Sequence, residues 1–178
     1  MKKSRGFTLI ELMITLVILG IVLAIAMPSM SKFIVKQRVQ SQVDELMITL
    51  AYARAEAVKN NTIVYVIPNG ITTADWQKKG WCVLKSSGTT CAAADEHVLR
   101  VFDSKTKIET VTQYATGAAK LGFTAQGALV PVTPNDGFKI YSTELPESER
   151  NAILRCIKIN PQGRAKVERY APGQCEIS

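Results

Sequence analysis

Residues 1–30 read MKKSRGFTLIELMITLVILGIVLAIAMPSM, and this opening stretch decides how the chain is organised. A short basic head, residues 2–5, ends at Gly6. An apolar segment follows, in which no charged residue occurs from Leu12 to Met30. That run is long enough to cross a bilayer as one helix, and the positive charge ahead of it favours a cytoplasmic N-terminus. We therefore expect a single membrane span with the rest of the chain exported.

Gly6 lies on the wrong side of the apolar segment to be the cleavage site of an ordinary signal peptide. Signal peptides are cut after their apolar segment, whereas Gly6 precedes it. The hexapeptide Gly6-Phe7-Thr8-Leu9-Ile10-Glu11 resembles the cleavage motif of type IV prepilins and type II secretion pseudopilins. The resemblance implies that a prepilin peptidase cuts after Gly6 and methylates the new amino terminus at Phe7. The apolar segment then stays on the mature chain as membrane anchor and assembly helix.

A single carboxylate, Glu11, lies near the start of the apolar segment. A charge in the hydrocarbon costs roughly 2.5–3.5 kcal/mol on insertion scales, so it needs a partner. After cleavage the amino group of Phe7 is cationic and lies about one helical turn away. The Phe7 amino group of a neighbouring subunit fits equally well, and the resemblance implies that this pairing sets the stagger between subunits. The alternative is a plain signal anchor with Glu11 near the headgroups.

The remaining sequence divides into a helical part and a β-rich part. Its 178 residues suit a leader (1–6), a transmembrane and assembly helix (7–30) and one globular domain (31–178). To about Asn60 the chain has an amphipathic helical pattern, with apolar residues at spacings of three and four. These are Val39, Val43, Leu46, Leu50, Ala53 and Ala57.

The later segments have the composition of strands separated by turns. The predicted strands are Ile63–Ile67, Trp81–Leu84, Val98–Phe102, Leu121–Phe123, Phe138–Tyr141 and the hairpin arms Ile153–Ile159 and Arg164–Tyr170. Predicted loops include residues 133–137 and 145–147. One long helix followed only by strands predicts an α+β fold, and the resemblance to prepilins implies that it is type IV pilin-like. A long N-terminal helix, transmembrane in its first half, packs on a C-terminal antiparallel β-sheet domain.

Four cysteines, Cys82, Cys91, Cys156 and Cys175, suggest two disulfides in an exported domain. Three connectivities are possible, and we favour Cys82–Cys91 with Cys156–Cys175. The alternative is a metal site. It is disfavoured because the chain has no C-x-x-C pair and one histidine, His97, so we expect no metal and no cofactor.

Three further motifs resemble those of the GspH/FimT group of pilins. Arg54-Ala55-Glu56-Ala57 matches its R-x-E-A pattern, Trp76 with Gly80-Trp81 matches its W…GW element, and Phe123 with Gly127 matches its F-x-x-x-G turn. The resemblance implies a minor pilin of a type IV pilus that is incorporated in the filament or primes it. The alternative is a GspH-like minor pseudopilin of a type II secretion system with a structural role only. Both tryptophans suit a buried core better than a ligand platform.

Some FimT-like members bind DNA during natural transformation through a C-terminal G-R-x-R element. Here Gly163-Arg164-Ala165-Lys166 keeps the last charge but loses the planar fork of arginine. A basic hairpin of this kind suits binding to phosphates of double-stranded DNA without reading sequence. Strand alternation predicts Arg164, Lys166 and Glu168 on one face. The candidate DNA-binding residues are Arg155, Lys158, Arg164, Lys166 and Arg169. The alternative is a solvated edge strand whose charges prevent aggregation.

The overall charge adds little to the DNA hypothesis, and the motifs of common enzymes are missing. Removing residues 1–6 takes away three basic residues, which lowers the formal charge from +7 to +4. The sequence contains no P-loop, H-E-x-x-H or G-x-S-x-G motif, so we expect no enzyme. The expected partners are other pilin or pseudopilin subunits, prepilin peptidase, the inner membrane and, in the DNA hypothesis, duplex DNA. The expected location is the bacterial inner membrane with the C-terminal domain in the periplasm, and then a pilus or pseudopilus filament.

Overall fold

A computed structural model of the chain describes residues 7–70, 76, 79–85, 90–92, 96–112, 120–130 and 137–169, apart from the side chains of 26–29 and 112. The chain forms two compact units, Met1–Lys36 and Gln37–Ser178. The first unit holds the apolar part of helix α1, and the second holds the remainder of α1 and the described strands.

Helix α1 runs from Leu9 to Asn60. It ends where Asn61 takes a left-handed backbone conformation, with φ of 50°, and where the Thr62 amide donates to the carbonyl of Ala57. Asparagine tolerates this conformation better than most residues, which suits a helix end. The six apolar residues predicted as the buried stripe of the helix are all 2 % exposed or less, which confirms that prediction.

Nine strands in the described part of the chain form two antiparallel sheets. The first sheet has the order β3-β2-β1-β5-β6, and the second has the order β4-β7-β8-β9. The first comprises β1 (Val64–Pro68), β2 (Trp81–Lys85), β3 (Val98–Phe102), β5 (Leu121–Phe123) and β6 (Leu129–Val130). The second comprises β4 (Ile108–Thr112), β7 (Gly137–Ser142), β8 (Arg155–Ile159) and β9 (Ala165–Arg169).

One hydrophobic core joins the helical stripe to the inner faces of both sheets. Leu46 and Leu50 of α1, Phe123 of the first sheet, and Phe138 and Ile157 of the second are each 2 % exposed or less and belong to the same cluster. Each large apolar side chain buried in this way contributes roughly 1.5–3 kcal/mol. The fold is α+β with a long N-terminal helix and antiparallel sheets, as the sequence predicts.

The predicted order, one long helix followed only by strands, is wrong. A second helix, α2, spans Glu147–Ile153, where we expected a loop and the start of a hairpin arm. Pro146 precedes its first residue, and Glu147 and Glu149 lie in its first turn, where carboxylates are favoured by the helix dipole. The hairpin arm is accordingly shorter, beginning at Arg155.

Strands β4 and β6 are also additions to the predicted set. Four of the five residues of β4, Ile-Glu-Thr-Val-Thr, are β-branched, which is a usable strand signal. β6 has only two residues, which is too short for any periodicity. The loop predicted at residues 133–137 lies outside the described residues except for Gly137, which begins β7.

Candidate functional site

The start of α1 is held by a side-chain cap. The Glu11 amide donates to the Thr8 hydroxyl oxygen at 3.3 Å, and the Leu12 amide donates to the Thr8 carbonyl at 3.2 Å. The spacing Thr8-x-x-Glu11 is that of a capping box. Thr8 therefore fixes where the helix begins. Phe7 is 78 % exposed, and Gly6 lies outside the described residues.

The first unit presents a long apolar surface. Every large apolar side chain from Leu9 to Ile25 is between 52 % and 77 % exposed. Such a surface on a protein is normally covered by lipid or by another protein. Among the described residues, no helix by itself meets the length and hydropathy requirements of a membrane span, although the bent pair Leu9–Ile25 and Met30–Asn60 meets them together. The single span predicted at residues 7–30 stays a proposal.

The first predicted disulfide is present. Cys82 and Cys91 are bonded with a Cα–Cα distance of 5.6 Å, and the bond ties the loop after β2 to that strand. The second predicted bond joins Cys156 to Cys175. Cys156 is buried in β8, and Cys175 lies outside the described residues.

The five candidate DNA-binding residues do not form one surface. Lys158 of β8 lies directly opposite Lys166 of β9, on the outer face of the second sheet. Glu168 lies on the same face and pairs with both, at 3.1 Å from the Lys158 ammonium and 3.3 Å from that of Lys166. The hydrogen bonds from Lys158 and then Lys166 lower the pKa of the Glu168 carboxyl below its ordinary value. One carboxylate therefore offsets part of the positive charge on this face.

Two of the other candidates lie at the far end of the hairpin. Arg155 faces Arg169 across the strand pair, on the opposite side of the sheet from Lys158. The Arg155 guanidinium donates to the carbonyl of Leu154 at 2.9 Å. Burial lowers the pKa of Arg155, and the neighbouring charge of Arg169 lowers it further. These residues therefore cannot extend a row of phosphate contacts that begins at Lys158 and Lys166.

Arg164 lies apart from the lysines. Strand β9 begins at Ala165, so the alternation that we expected from Arg164 onward starts one residue later. Arg164 instead lines a groove of about 320 Å³ between α1 and the β8–β9 turn. We call this the arginine groove. Its lining residues include Met47, Leu50, Ala51, Arg54, Arg164 and Ala165.

The β5–β6 turn and the β8–β9 turn have matching geometry. In the β5–β6 turn the Gly127 amide donates to the Thr124 carbonyl at 2.8 Å, and in the β8–β9 turn the Gly163 amide donates to the Asn160 carbonyl at the same distance. Both glycines are left-handed, with φ of 75° and 74°. Only glycine adopts this conformation at little cost. The two F-x-x-x-G and G-R motifs therefore encode equivalent turns.

These two turns lie against each other, which we call the turn–turn contact. A Cβ atom at Gly163 would lie 2.2 Å from the carbonyl oxygen of Gly127 and 3.1 Å from the ring of Phe123. The Leu129 amide donates to the Pro161 carbonyl at 2.9 Å. The contact joins the first sheet to the second, so the glycine of the G-R motif has a structural role.

Arg54 supports the same contact from the helix. Its Nε donates to the Gly127 carbonyl at 3.0 Å, and a Cβ at Gly127 would lie 2.8 Å from that nitrogen. We did not predict this role for Arg54. The R-x-E-A pattern could have indicated this role. It places Arg54 beside Ala53 and one turn from Ala57, which both belong to the buried stripe of α1.

Both tryptophans lie in the core, as predicted. Trp76 and Trp81 are fully buried, and their rings stack with centroids 6.1 Å apart. The Trp81 indole nitrogen donates to the Thr49 hydroxyl at 3.0 Å, and that hydroxyl donates to the carbonyl of Glu45 at 2.8 Å. The W…GW element therefore anchors the first sheet to α1. No group of three or more potential metal ligands occurs within the described ranges.

Comparison with known families matches two parts of the chain. Residues 1–27 match the prokaryotic N-terminal methylation motif, and residues 42–163 match the family described as Type II transport protein GspH. The second match spans the C-terminal part of α1 and strands β1 to β8. It includes Arg54, Trp81, Gly127 and Gly163, which carry the contacts described above.

Individual relatives are pilus and pseudopilus proteins. A fimbrial protein of Pseudomonas aeruginosa is 28 % identical over the whole length of both chains. Crystal structures of the type IV minor pilin FimU of P. aeruginosa match with 28 % identity and a TM-score of 0.56, or 26 % and 0.57. They cover 77 % and 81 % of this chain and 99 % of FimU.

The minor pseudopilin EpsH of the Vibrio cholerae type 2 secretion system is 12 % identical, with a TM-score of 0.51 over 76 % of this chain and 98 % of EpsH. That match concerns the fold alone. The methylation motif that includes the start of α1, the two antiparallel sheets, and the family match across 42–163 agree with one another. This chain belongs to the GspH family of pilin-like proteins.

Proposed function

We propose that this protein is a minor pilin of a type IV pilus that is incorporated in the filament or primes its assembly. The observation that carries the proposal is the end-to-end match to a fimbrial protein, at 28 % identity over all of both chains. The pseudopilin EpsH supports the same fold at only 12 % identity. Since the relatives are pilus and pseudopilus subunits, we infer a structural subunit and no enzyme.

The N-terminus would supply the means of membrane insertion and assembly. We propose that the chain is made as a precursor in the bacterial inner membrane, with its C-terminal domain in the periplasm. Prepilin peptidase would then cut between Gly6 and Phe7. The methylation motif over residues 1–27 supports this processing. The new amino group of Phe7 would pair with Glu11 of the same chain or of a neighbour, because Phe7 lies two residues before α1 and Glu11 lies in its first turn.

Deletion of the gene in the native host tests the choice between the two machines. A minor pilin predicts fewer or no surface pili and unchanged export of the substrates of the type II secretion system. Complementation provides the controls. The parental gene should restore the pili, and the gene carrying Glu11→Gln should not. Normal piliation together with a secretion defect would assign the chain to the pseudopilus.

Binding to double-stranded DNA is a second proposal, and the structure narrows the residues that can carry it. Lys139, Lys158 and Lys166 share the outer face of the second sheet with two carboxylates, those of Glu168 and Glu109. We call these the outer lysine face. Its net charge favours phosphate contact that is weak and independent of sequence. Arg155 and Arg169 lie on the other side of the sheet.

The DNA proposal is tested on the purified full-length chain in detergent by mobility shift at low salt. Lys158→Gln with Lys166→Gln should weaken binding, and Glu168→Gln should strengthen it because both lysines lose their internal partner. Arg169→Gln is the matched control, since it removes one charge from the other side. Equal binding by all four proteins, or no binding by the parent, would leave a structural subunit only.

A further inference from the structure

The two positive charges of the arginine groove have no acidic partner among the described residues, unlike those of several other basic places on the domain. Lys158 and Lys166 pair with Glu168, Lys105 pairs with Glu45, and both Arg38 and Lys107 pair with Glu144. Arg54 uses its Nε for the Gly127 carbonyl, and the structure gives neither Arg54 nor Arg164 an ion pair with a described residue. Within the part of the chain that the structure describes, no carboxylate lines the groove.

Apart from the two arginines, the described residues that line the groove are apolar side chains and Gly163. Leu50 is 2 % exposed, Met47 and Ala165 are half-buried, and Ala51 is exposed at the rim. Guanidinium groups bind carboxylates through two parallel hydrogen bonds, and they do so more strongly where apolar neighbours exclude water. The groove therefore suits one carboxylate with an apolar side chain beside it. A DNA backbone needs a row of cations instead of one pair.

The groove opens onto a part of α1 that the domain itself does not cover. Ile48 and Val58 are 59 % and 53 % exposed, and Ala51 and Ala55 between them are exposed as well. These four residues recur at spacings of three and four and form one apolar stripe on the outside of the helix. Ala51 belongs both to this stripe and to the rim of the groove. The two features are therefore one continuous surface.

We propose that the arginine groove and the exposed stripe of α1 form a docking site for a second pilin subunit, which places a carboxylate between Arg54 and Arg164. The proposal rests on the proposed function, since a filament is what brings such a subunit alongside. Charge complementarity defines the partner: an apolar segment that carries an aspartate or a glutamate. Arg164 is the residue to substitute in a test, because Arg54 also stabilises the turn–turn contact.

Charge reversal in the full-length chain, expressed in the native host, tests the site. Arg164→Glu should lower the amount of the chain in sheared pili by roughly tenfold, because it replaces a charge-assisted bond with repulsion between carboxylates. Lys85→Glu is the matched control, since it makes the same kind of charge reversal at an exposed residue of β2 that does not line the groove. It should stay within about twofold of the parent. Both variants should be present in membranes at the parental level, because both side chains are exposed.

A zero-length cross-link identifies the partner directly. Arg164→Lys keeps the charge and adds an amine, which carbodiimide joins only to a carboxylate in contact with it. We expect a new cross-linked species with an aspartate- or glutamate-containing peptide of another pilin subunit, missing from the parental chain. Equal incorporation of Arg164→Glu and parent with no new cross-link would overturn the proposal. Loss of DNA binding by Arg164→Glu with normal incorporation would also overturn it, by assigning the groove to nucleic acid.

These outcomes separate the docking site from the proposed function. If the parental chain is missing from pili, the minor-pilin proposal fails. The Arg164→Lys cross-link in membranes then decides the docking site alone. A cross-link to a pilin-type subunit would support it, and no cross-link would refute it.

Discussion

Gly163→Ala tests the turn–turn contact, which we hold to join the two sheets. At φ of 74° an alanine costs about 1–2 kcal/mol from its own backbone conformation. Its Cβ would also lie 2.2 Å from the Gly127 carbonyl oxygen, a backbone atom that moves only with the turn. Overpacking of this kind costs roughly 1–3 kcal/mol. We therefore expect a loss of about 2–5 kcal/mol in the free energy of unfolding.

The assay is thermal unfolding of the full-length chain in detergent, followed by tryptophan fluorescence. Both tryptophans are fully buried in the domain, so their signal reports on its unfolding. The expected loss corresponds to a fall in Tm of roughly 5–15 °C for a chain of this size. Gln162→Ala, an exposed position in the same turn, is the control and should change the free energy by less than about 0.5 kcal/mol. If Gly163→Ala melts within 2 °C of that control, on the same size scaling, the contact does not join the sheets as described.

Three further predictions address the core, the outer lysine face and assembly. Trp81→Phe should lower the free energy of unfolding by about 1–3 kcal/mol, because it removes both volume and the hydrogen bond to Thr49. Urea unfolding should show a smaller loss for Trp76→Phe, because the indole nitrogen of Trp76 has no partner in the described part of the chain. Glu168 should titrate below its ordinary pKa of 4.5 in an NMR experiment, so its contribution to stability is present above that pH and disappears as pH falls through its pKa in the folded protein; a titration at the ordinary value would show that the lysine pairs do not form in solution. Glu11→Ala should still insert in the membrane but fail to enter sheared pili, and normal incorporation would remove the proposed pairing with an amino terminus.

Most of the secondary structure was predictable because it follows local patterns. The buried stripe of α1 and strands such as Val98–Phe102 follow from periodicity and composition. Helix α2 was missed because its seven residues are too few to show a helical period. Its usable signal was the proline at 146 with glutamates in the next three residues. The two-residue strand β6 carries no pattern at all.

The functional surfaces were less predictable because they depend on distant segments. The sequence shows that the C-terminal hairpin is basic, but only the strand register reveals that Glu168 lies between Lys158 and Lys166. The contact of Gly163 with Gly127 depends on how the two sheets pack. A motif that resembles a DNA-binding element therefore proved to contain a structural glycine and an arginine that lines a different surface.

The central claim is that this chain is a subunit of a type IV pilus. The most direct test is mass spectrometry of pili sheared from the native host and purified away from membranes. We predict peptides of this chain in the filament, including an N-terminal peptide that begins with methylated Phe7. Recovery of the chain only in the membrane fraction, or a mature chain that begins after the apolar segment, would contradict the account.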